Sequence, residues 1–148
     1  MTGWPHRIGV EMEPVELAWC RGIFEPPTRR PEYDVDLDHW IRNHGALRCK
    51  AFYQSPRWRE LRARVLAETH GASVYELALS PARYSPAECV HHVMRVEDAP
   101  GWALSEWAVD GSGRVVRNLI PLSHAGHNVA HGREELAIPA PPVTVERW

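Results

Sequence analysis

Cysteine is scarce in this chain, in which only three of the 148 residues are cysteines. The odd number and wide spacing of Cys20, Cys49 and Cys89 imply no disulfide framework. No two of them form a Cys-x-x-Cys pair, the usual building block of a structural zinc site. We therefore expect a protein of a reducing compartment, the cytoplasm, held together by its own apolar core.

Long apolar runs are also missing from the sequence. The first six residues begin no apolar stretch of signal-peptide length, and no later stretch has the roughly 20 apolar residues that cross a bilayer. Hydrophobic residues at 44% and charged residues at 24% are ordinary for a globular protein. The composition predicts one globular domain with neither a secretion signal nor a membrane span.

Lysine is almost absent, since Lys50 is the single lysine among 17 basic residues. The net charge of -2 does not itself indicate a nucleic-acid binder, but the charge is unevenly distributed. Residues 1–38 hold eight acidic side chains against four arginines, whereas residues 42–64 hold seven basic side chains against Glu60 alone. A local basic surface of this kind is what a phosphate backbone would meet.

Histidine, by contrast, is concentrated late in the chain. Five of the nine histidines lie between His91 and His131. Adjacent residues of a strand point to opposite faces, so His91 and His92 predict two different roles, one as a metal ligand and the other as a base. If the last segment is helical, His127 and His131 share one face and can hold one cation. Asn118 could orient the base or join the metal shell.

Turn signals and apolar periods give a coarse order of elements. The clearest predicted helix spans residues 55–69, with Ser55 as N-cap, Pro56 in the first turn and an apolar stripe of Trp58, Leu61 and Val65. We also expect a strand at residues 90–96, a second strand at residues 115–120 and a helix at residues 123–136. Residues 1–50 are interpreted as an irregular or helical extension, residues 51–137 as the main domain, and residues 138–148 as a proline-rich arm.

The ordered combination of Val90-His91-His92-Val93, Asn118-Leu119 and His127 followed by His131 resembles the signature of HNH nucleases. Residues 52–62 resemble the helix that precedes this signature in phage-type HNH endonucleases. The resemblance implies an α+β fold built on a ββα-metal finger, with surrounding helices and an irregular N-terminal region. Two strands would carry the histidine pair and Asn118, and a helix would carry the last two histidines.

One departure from the phage-type pattern concerns zinc. Many phage-type members hold the finger together with a zinc ion bound by two Cys-x-x-Cys pairs, and this chain has neither pair. We therefore expect no structural zinc. The His-x-x-x-His ending resembles instead the colicin-like members of the superfamily, in which the apolar surroundings hold the finger.

The resemblance implies metal-dependent hydrolysis of DNA phosphodiester bonds. It assigns one divalent cation, Mg²⁺, Mn²⁺, Ni²⁺ or Zn²⁺, to His91, His127 and His131. It makes His92 the general base and Asn118 the residue that orients the base or contributes to metal binding. Arg133, just beyond the predicted ligand helix, would clamp a phosphate.

Double-stranded DNA is the expected partner, and phage packaging proteins are further candidates. Two alternatives stay open at this stage. One is a catalytically inert protein that keeps the HNH fold for DNA binding or packaging. The other is a ribonuclease or the warhead of a toxin.

Overall fold

The computed structural model of the protein describes residues 13–43 and 45–132. The predicted C-terminal arm and Arg133 lie outside the described residues. A 3-10 helix at Val15–Cys20 comes first and is followed by four α-helices, named in chain order α1 (Val35–Arg42), α2 (Gly45–Tyr53), α3 (Pro56–Glu68) and α4 (Val74–Leu77).

Four short strands, a second 3-10 helix at Pro100–Trp102 and a last α-helix complete the described chain. The first and the last of these strands pair with each other, and the two strands between them form a second pair. In chain order they are β1 (Cys89–His92), β2 (Trp107–Val109), β3 (Val115–Arg117) and β4 (Leu119–Leu122), followed by α5 (His124–Ala130).

Helix α3 has the sequence features predicted for it. The Ser55 side chain accepts a hydrogen bond from the Trp58 backbone N–H, and a proline occupies the first turn. The predicted apolar stripe is buried, as the exposed fractions of Trp58, Leu61 and Val65 are 0%, 5% and 0%. Capping and stripe together anchor α3 against the sheet that carries the histidine pair.

Strands β1 and β4 pair antiparallel, with Cys89 opposite Leu122 and His92 opposite Leu119. Helix α5 follows β4 directly, and its N-cap Ser123 accepts a hydrogen bond from the Gly126 N–H. The order of β1, β4 and α5 is that of a ββα finger. The predicted α+β class is therefore confirmed, with small antiparallel sheets among short helices.

Three local predictions were wrong. The strand expected at residues 90–96 ends at His92, because the Met94 N–H donates to the Asn118 side chain instead of to a neighbouring strand. The single strand expected at residues 115–120 is two strands, because β3 pairs with β2 while β4 pairs with β1, and Asn118 lies between them. The last helix ends at Ala130 instead of residue 136, because Gly132 has a positive φ of 71° and cannot continue a helix.

The β1–β4 pair lies between two apolar clusters. On one side, Trp58, Leu61 and Val90 belong to a cluster that includes residues of α1, α2 and α3. On the other side, Cys20, Cys89 and Ile120 belong to a cluster that includes the first 3-10 helix and α4. Side chains of a different cluster therefore pack on each face of β1. Because adjacent residues of a strand point to opposite faces, His91 and His92 enter different surroundings. No helix in the described ranges is long and apolar enough to cross a membrane.

Candidate metal centre

Three imidazoles meet where β1 faces α5. One ring nitrogen from each of His91, His127 and His131 lies within 4.8 Å of the others. The Nε2 atoms of His127 and His131 are only 3.0 Å apart. His91 and His127 are buried and His131 is exposed, so the cluster has a buried side and a solvent side. The structure thus brings together all three residues predicted to hold a cation.

Local helix geometry explains the pairing of the last two histidines. His131 is the C-cap of α5, and its backbone N–H donates to the His127 carbonyl at 3.1 Å. The helical spacing therefore persists through the end of the helix, and both side chains share one face.

The beginning of α5 is fixed by close packing and by a buried carboxylate. A Cβ atom added to Gly126 would lie 2.7 Å from the Tyr75 Cβ, so only glycine lets α5 approach α4 this closely. The Ser123 hydroxyl donates to the buried Glu76 carboxylate, with Oγ 2.8 and 3.0 Å from its two oxygens. These contacts set the position of His127 relative to the sheet.

The donor set fits a divalent cation with a preference for imidazole. Metal–nitrogen distances of about 2.0–2.1 Å place two nitrogens of one ion roughly 3–3.5 Å apart. The pair on α5 already has this spacing, and a ring nitrogen of His91 lies within 4.8 Å of both. Among the four expected ions, three imidazoles favour Zn²⁺ or Ni²⁺ over Mg²⁺, which prefers oxygen ligands.

His92 lies on the other face of β1, away from the imidazole cluster. Its ring stacks on Trp58, with ring centroids 4.9 Å apart and an interplanar angle of 24°. Its Nε2 is 3.0 Å from the Ala103 carbonyl oxygen. A carbonyl can only accept, so Nε2 carries the proton and Nδ1 of the neutral ring keeps its lone pair.

The surroundings of His92 also keep its ring uncharged. Burial lowers the pKa of His92 to about 4, against the opposing effect of its hydrogen bond to the Ala103 carbonyl. A histidine with this pKa is neutral at physiological pH. The tautomer therefore leaves the lone pair on Nδ1, while the lowered pKa makes this nitrogen a weaker proton acceptor than that of an ordinary histidine.

Asn118 is fully buried, with an exposed fraction of 0%. Its Oδ1 accepts a hydrogen bond from the Met94 N–H at 2.8 Å, and its Nδ2 donates to the carbonyls of Trp102 and Ser105 at 2.9 and 3.1 Å. These bonds tie together the loop between β1 and β2. Trp102 precedes Ala103, so Asn118 is linked to His92 through this loop backbone.

One buried acidic residue of the site was missed by sequence reasoning. The Glu16 Oε2 is 2.7 Å from the His91 Nε2, and each side chain is only 6% exposed. Glu16 comes from the first 3-10 helix, 75 residues before its partner. It is one of eight acidic residues in the N-terminal 38, and no sequence signal separates it from the other seven.

The ββα unit carries its imidazole cluster between its first strand and its helix. No protein-family model matches the chain. No curated protein matches it either. Among solved structures, the chain is similar to the crystal structure of the deep-sea thermophilic bacteriophage GVE2 HNH endonuclease with manganese ion. The identity is 21% and the TM-score 0.46, over 74% of this chain and 100% of that chain.

Proposed function

We propose that the protein is a metal-dependent endonuclease of the HNH type that hydrolyses DNA phosphodiester bonds. One observation carries the proposal. Two adjacent strand residues divide two tasks, since His91 joins His127 and His131 in a cluster within 4.8 Å, whereas His92 is outside that cluster with its Nε2 3.0 Å from the Ala103 carbonyl oxygen. Metal-assisted hydrolysis requires both an ion site with open positions and a separate base.

In this proposal, His91, His127 and His131 hold one divalent cation. A bound cation would supply positive charge that stabilises the negative charge developing on the phosphate during hydrolysis. His92 takes a proton from the attacking water at Nδ1. Its Nε2–H bond to Ala103 holds the ring while this proton is accepted.

Helix α3 supports DNA as the substrate. Arg57 and Arg64 are exposed on this helix, and with Glu60, Leu61 and Leu104 they line an open cleft of about 200 Å³. Trp58, one residue after Arg57, stacks on the proposed base. The same helix therefore offers guanidinium groups to a phosphate backbone and holds His92 in place.

Incubation of the full chain with plasmid, linear duplex DNA and RNA tests the proposal. Each substrate is incubated with the protein once in the presence of a chelator and once with each of Mg²⁺, Mn²⁺, Ni²⁺ and Zn²⁺. We expect metal-dependent nicking or linearisation of plasmid. His92→Gln, whose amide can still donate to the Ala103 carbonyl, should lower the rate by about 10²- to 10⁴-fold with metal binding retained.

His124→Ala is the matched control, because His124 is an exposed histidine on the same helix as His127. It should cleave at the wild-type rate. If the protein binds DNA but cleaves it with none of the four ions, the inert DNA-binding alternative replaces the proposal. Cleavage of RNA alone would replace it by the ribonuclease alternative.

A further inference from the structure

Glu16 lies in the N-terminal segment, residues 13–20, and brings a carboxylate to the imidazole cluster of His91, His127 and His131. The carboxylate and the His91 ring are both buried, and their 2.7 Å contact is short enough for a charge-assisted hydrogen bond. A buried carboxylate is costly unless it is paired and hydrogen-bonded, so its burial against this ring needs an explanation.

The contact defines the protonation of His91. A carboxylate accepts, so the His91 Nε2 donates the proton, and in the neutral ring the lone pair is then on Nδ1. Within the described residues, the group of donor atoms lying within 4.8 Å of one another consists of the three imidazoles, and Glu16 is outside it. The carboxylate therefore touches a proposed ligand without belonging to the ligand cluster.

We propose that Glu16 is a positioning residue, which orients the His91 ring and fixes the tautomer whose Nδ1 can hold the cation. Ligand histidines whose second nitrogen donates to a carboxylate are fixed in orientation and made more basic. The inference rests on His91 being a ligand, as in the proposed function, but it does not depend on what the centre hydrolyses.

The N-terminal segment is held independently of Glu16. The Trp19 and Tyr75 rings meet edge to face with centroids 4.8 Å apart, and Cys20 is buried in the apolar cluster beside β1. Glu13 forms an ion pair with Arg114 at 2.8 Å. Substitution of Glu16 therefore leaves the anchors of the segment in place.

The first test uses metal-free, full-length protein and the ¹⁵N signals of the His91 ring. Wild type should show the tautomer protonated at Nε2. Glu16→Ala should give a mixture of tautomers, whereas Glu16→Gln should restore most of the wild-type pattern because its amide oxygen can accept the same bond. Glu25→Gln, at an exposed acidic residue just beyond the same 3-10 helix, is the control and should leave the signals unchanged.

The second test is calorimetric titration of Zn²⁺ into the same variants. Glu16→Ala should weaken binding by about 10- to 100-fold, and Glu16→Gln by less. Unchanged His91 signals and unchanged affinity in Glu16→Ala would overturn the proposal. A loss in Glu16→Gln as large as that in His127→Ala would also overturn it, by making the carboxylate a ligand.

These readouts separate two kinds of failure. If the wild-type protein binds Zn²⁺ with the expected dependence on Glu16 but cleaves no nucleic acid, the positioning role stands and the nuclease proposal fails. If Glu16→Ala folds, binds Zn²⁺ like wild type and keeps one His91 tautomer, the positioning role fails whatever the activity is.

Discussion

Replacement of Asn118 by alanine tests whether this residue serves the fold or the chemistry. The change removes three hydrogen bonds of the buried Asn118 side chain, one from the Met94 N–H and two to the carbonyls of Trp102 and Ser105. The Trp102 carbonyl keeps a second donor, the Ser105 N–H at 2.9 Å. Two groups therefore lose their partner, at about 1–3 kcal/mol each.

Met94 and Ser105 are half-buried, so water can replace part of the lost bonding. We expect the free energy of unfolding to fall by about 2–4 kcal/mol. The assay is urea unfolding of chelator-treated protein, with the exposed Asn43→Ala as control, which should stay within about 0.5 kcal/mol of wild type. Zn²⁺ affinity of the folded Asn118→Ala protein should change little. Wild-type stability, or a loss of affinity equal to that of His127→Ala, would refute this reasoning.

Three further predictions concern the ligand helix and a distant turn. His131→Ala should weaken Zn²⁺ binding in calorimetric titration; unchanged affinity would leave a site of the other two imidazoles. Gly126→Ala should displace α5 from Tyr75 at an overpacking cost of about 1–3 kcal/mol, offset by up to roughly 1 kcal/mol of helix propensity, and should reduce metal affinity. Burial opposes ionisation of Asp110, but hydrogen bonds within its turn outweigh burial and lower its pKa. The ionised Asp110 side chain therefore stabilises the fold fully above the unfolded pKa near 3.9, and this stabilisation is lost as pH falls through the folded pKa. Urea unfolding should show Asp110→Asn to be less stable than wild type at pH 7 and equal to wild type in strong acid. A deficit that persists in strong acid would contradict this.

Local periodicity was sufficient to predict the cluster on α5 and the two faces of β1. The four-residue spacing of His127 and His131 needs only a helix to bring the rings together, and strand alternation needs only the sheet to separate His91 from His92. Helix α3 was equally predictable, since its cap and its apolar stripe are local signals. In these cases the residues that determine the structure are neighbours in the chain.

Long-range contacts were beyond the same reasoning. Glu16 meets His91 across 75 residues, and its segment carries no helical or strand period that would place it at the site. The predicted second strand is divided at Asn118 because β3 pairs with β2 and β4 pairs with β1. These pairings are tertiary contacts, and a run of apolar residues does not predict them. Gly132 lies inside the helix predicted at residues 123–136, although its positive φ makes it the helix terminator.

Anomalous diffraction from crystals of the full chain grown with Zn²⁺ tests most directly whether the three imidazoles share one cation. We predict one ion with a ring nitrogen of His91, His127 and His131 each at about 2.0–2.1 Å. The Glu16 carboxylate should remain on the His91 Nε2. Zinc bound elsewhere with the cluster empty, or held without His91, would contradict the proposed centre.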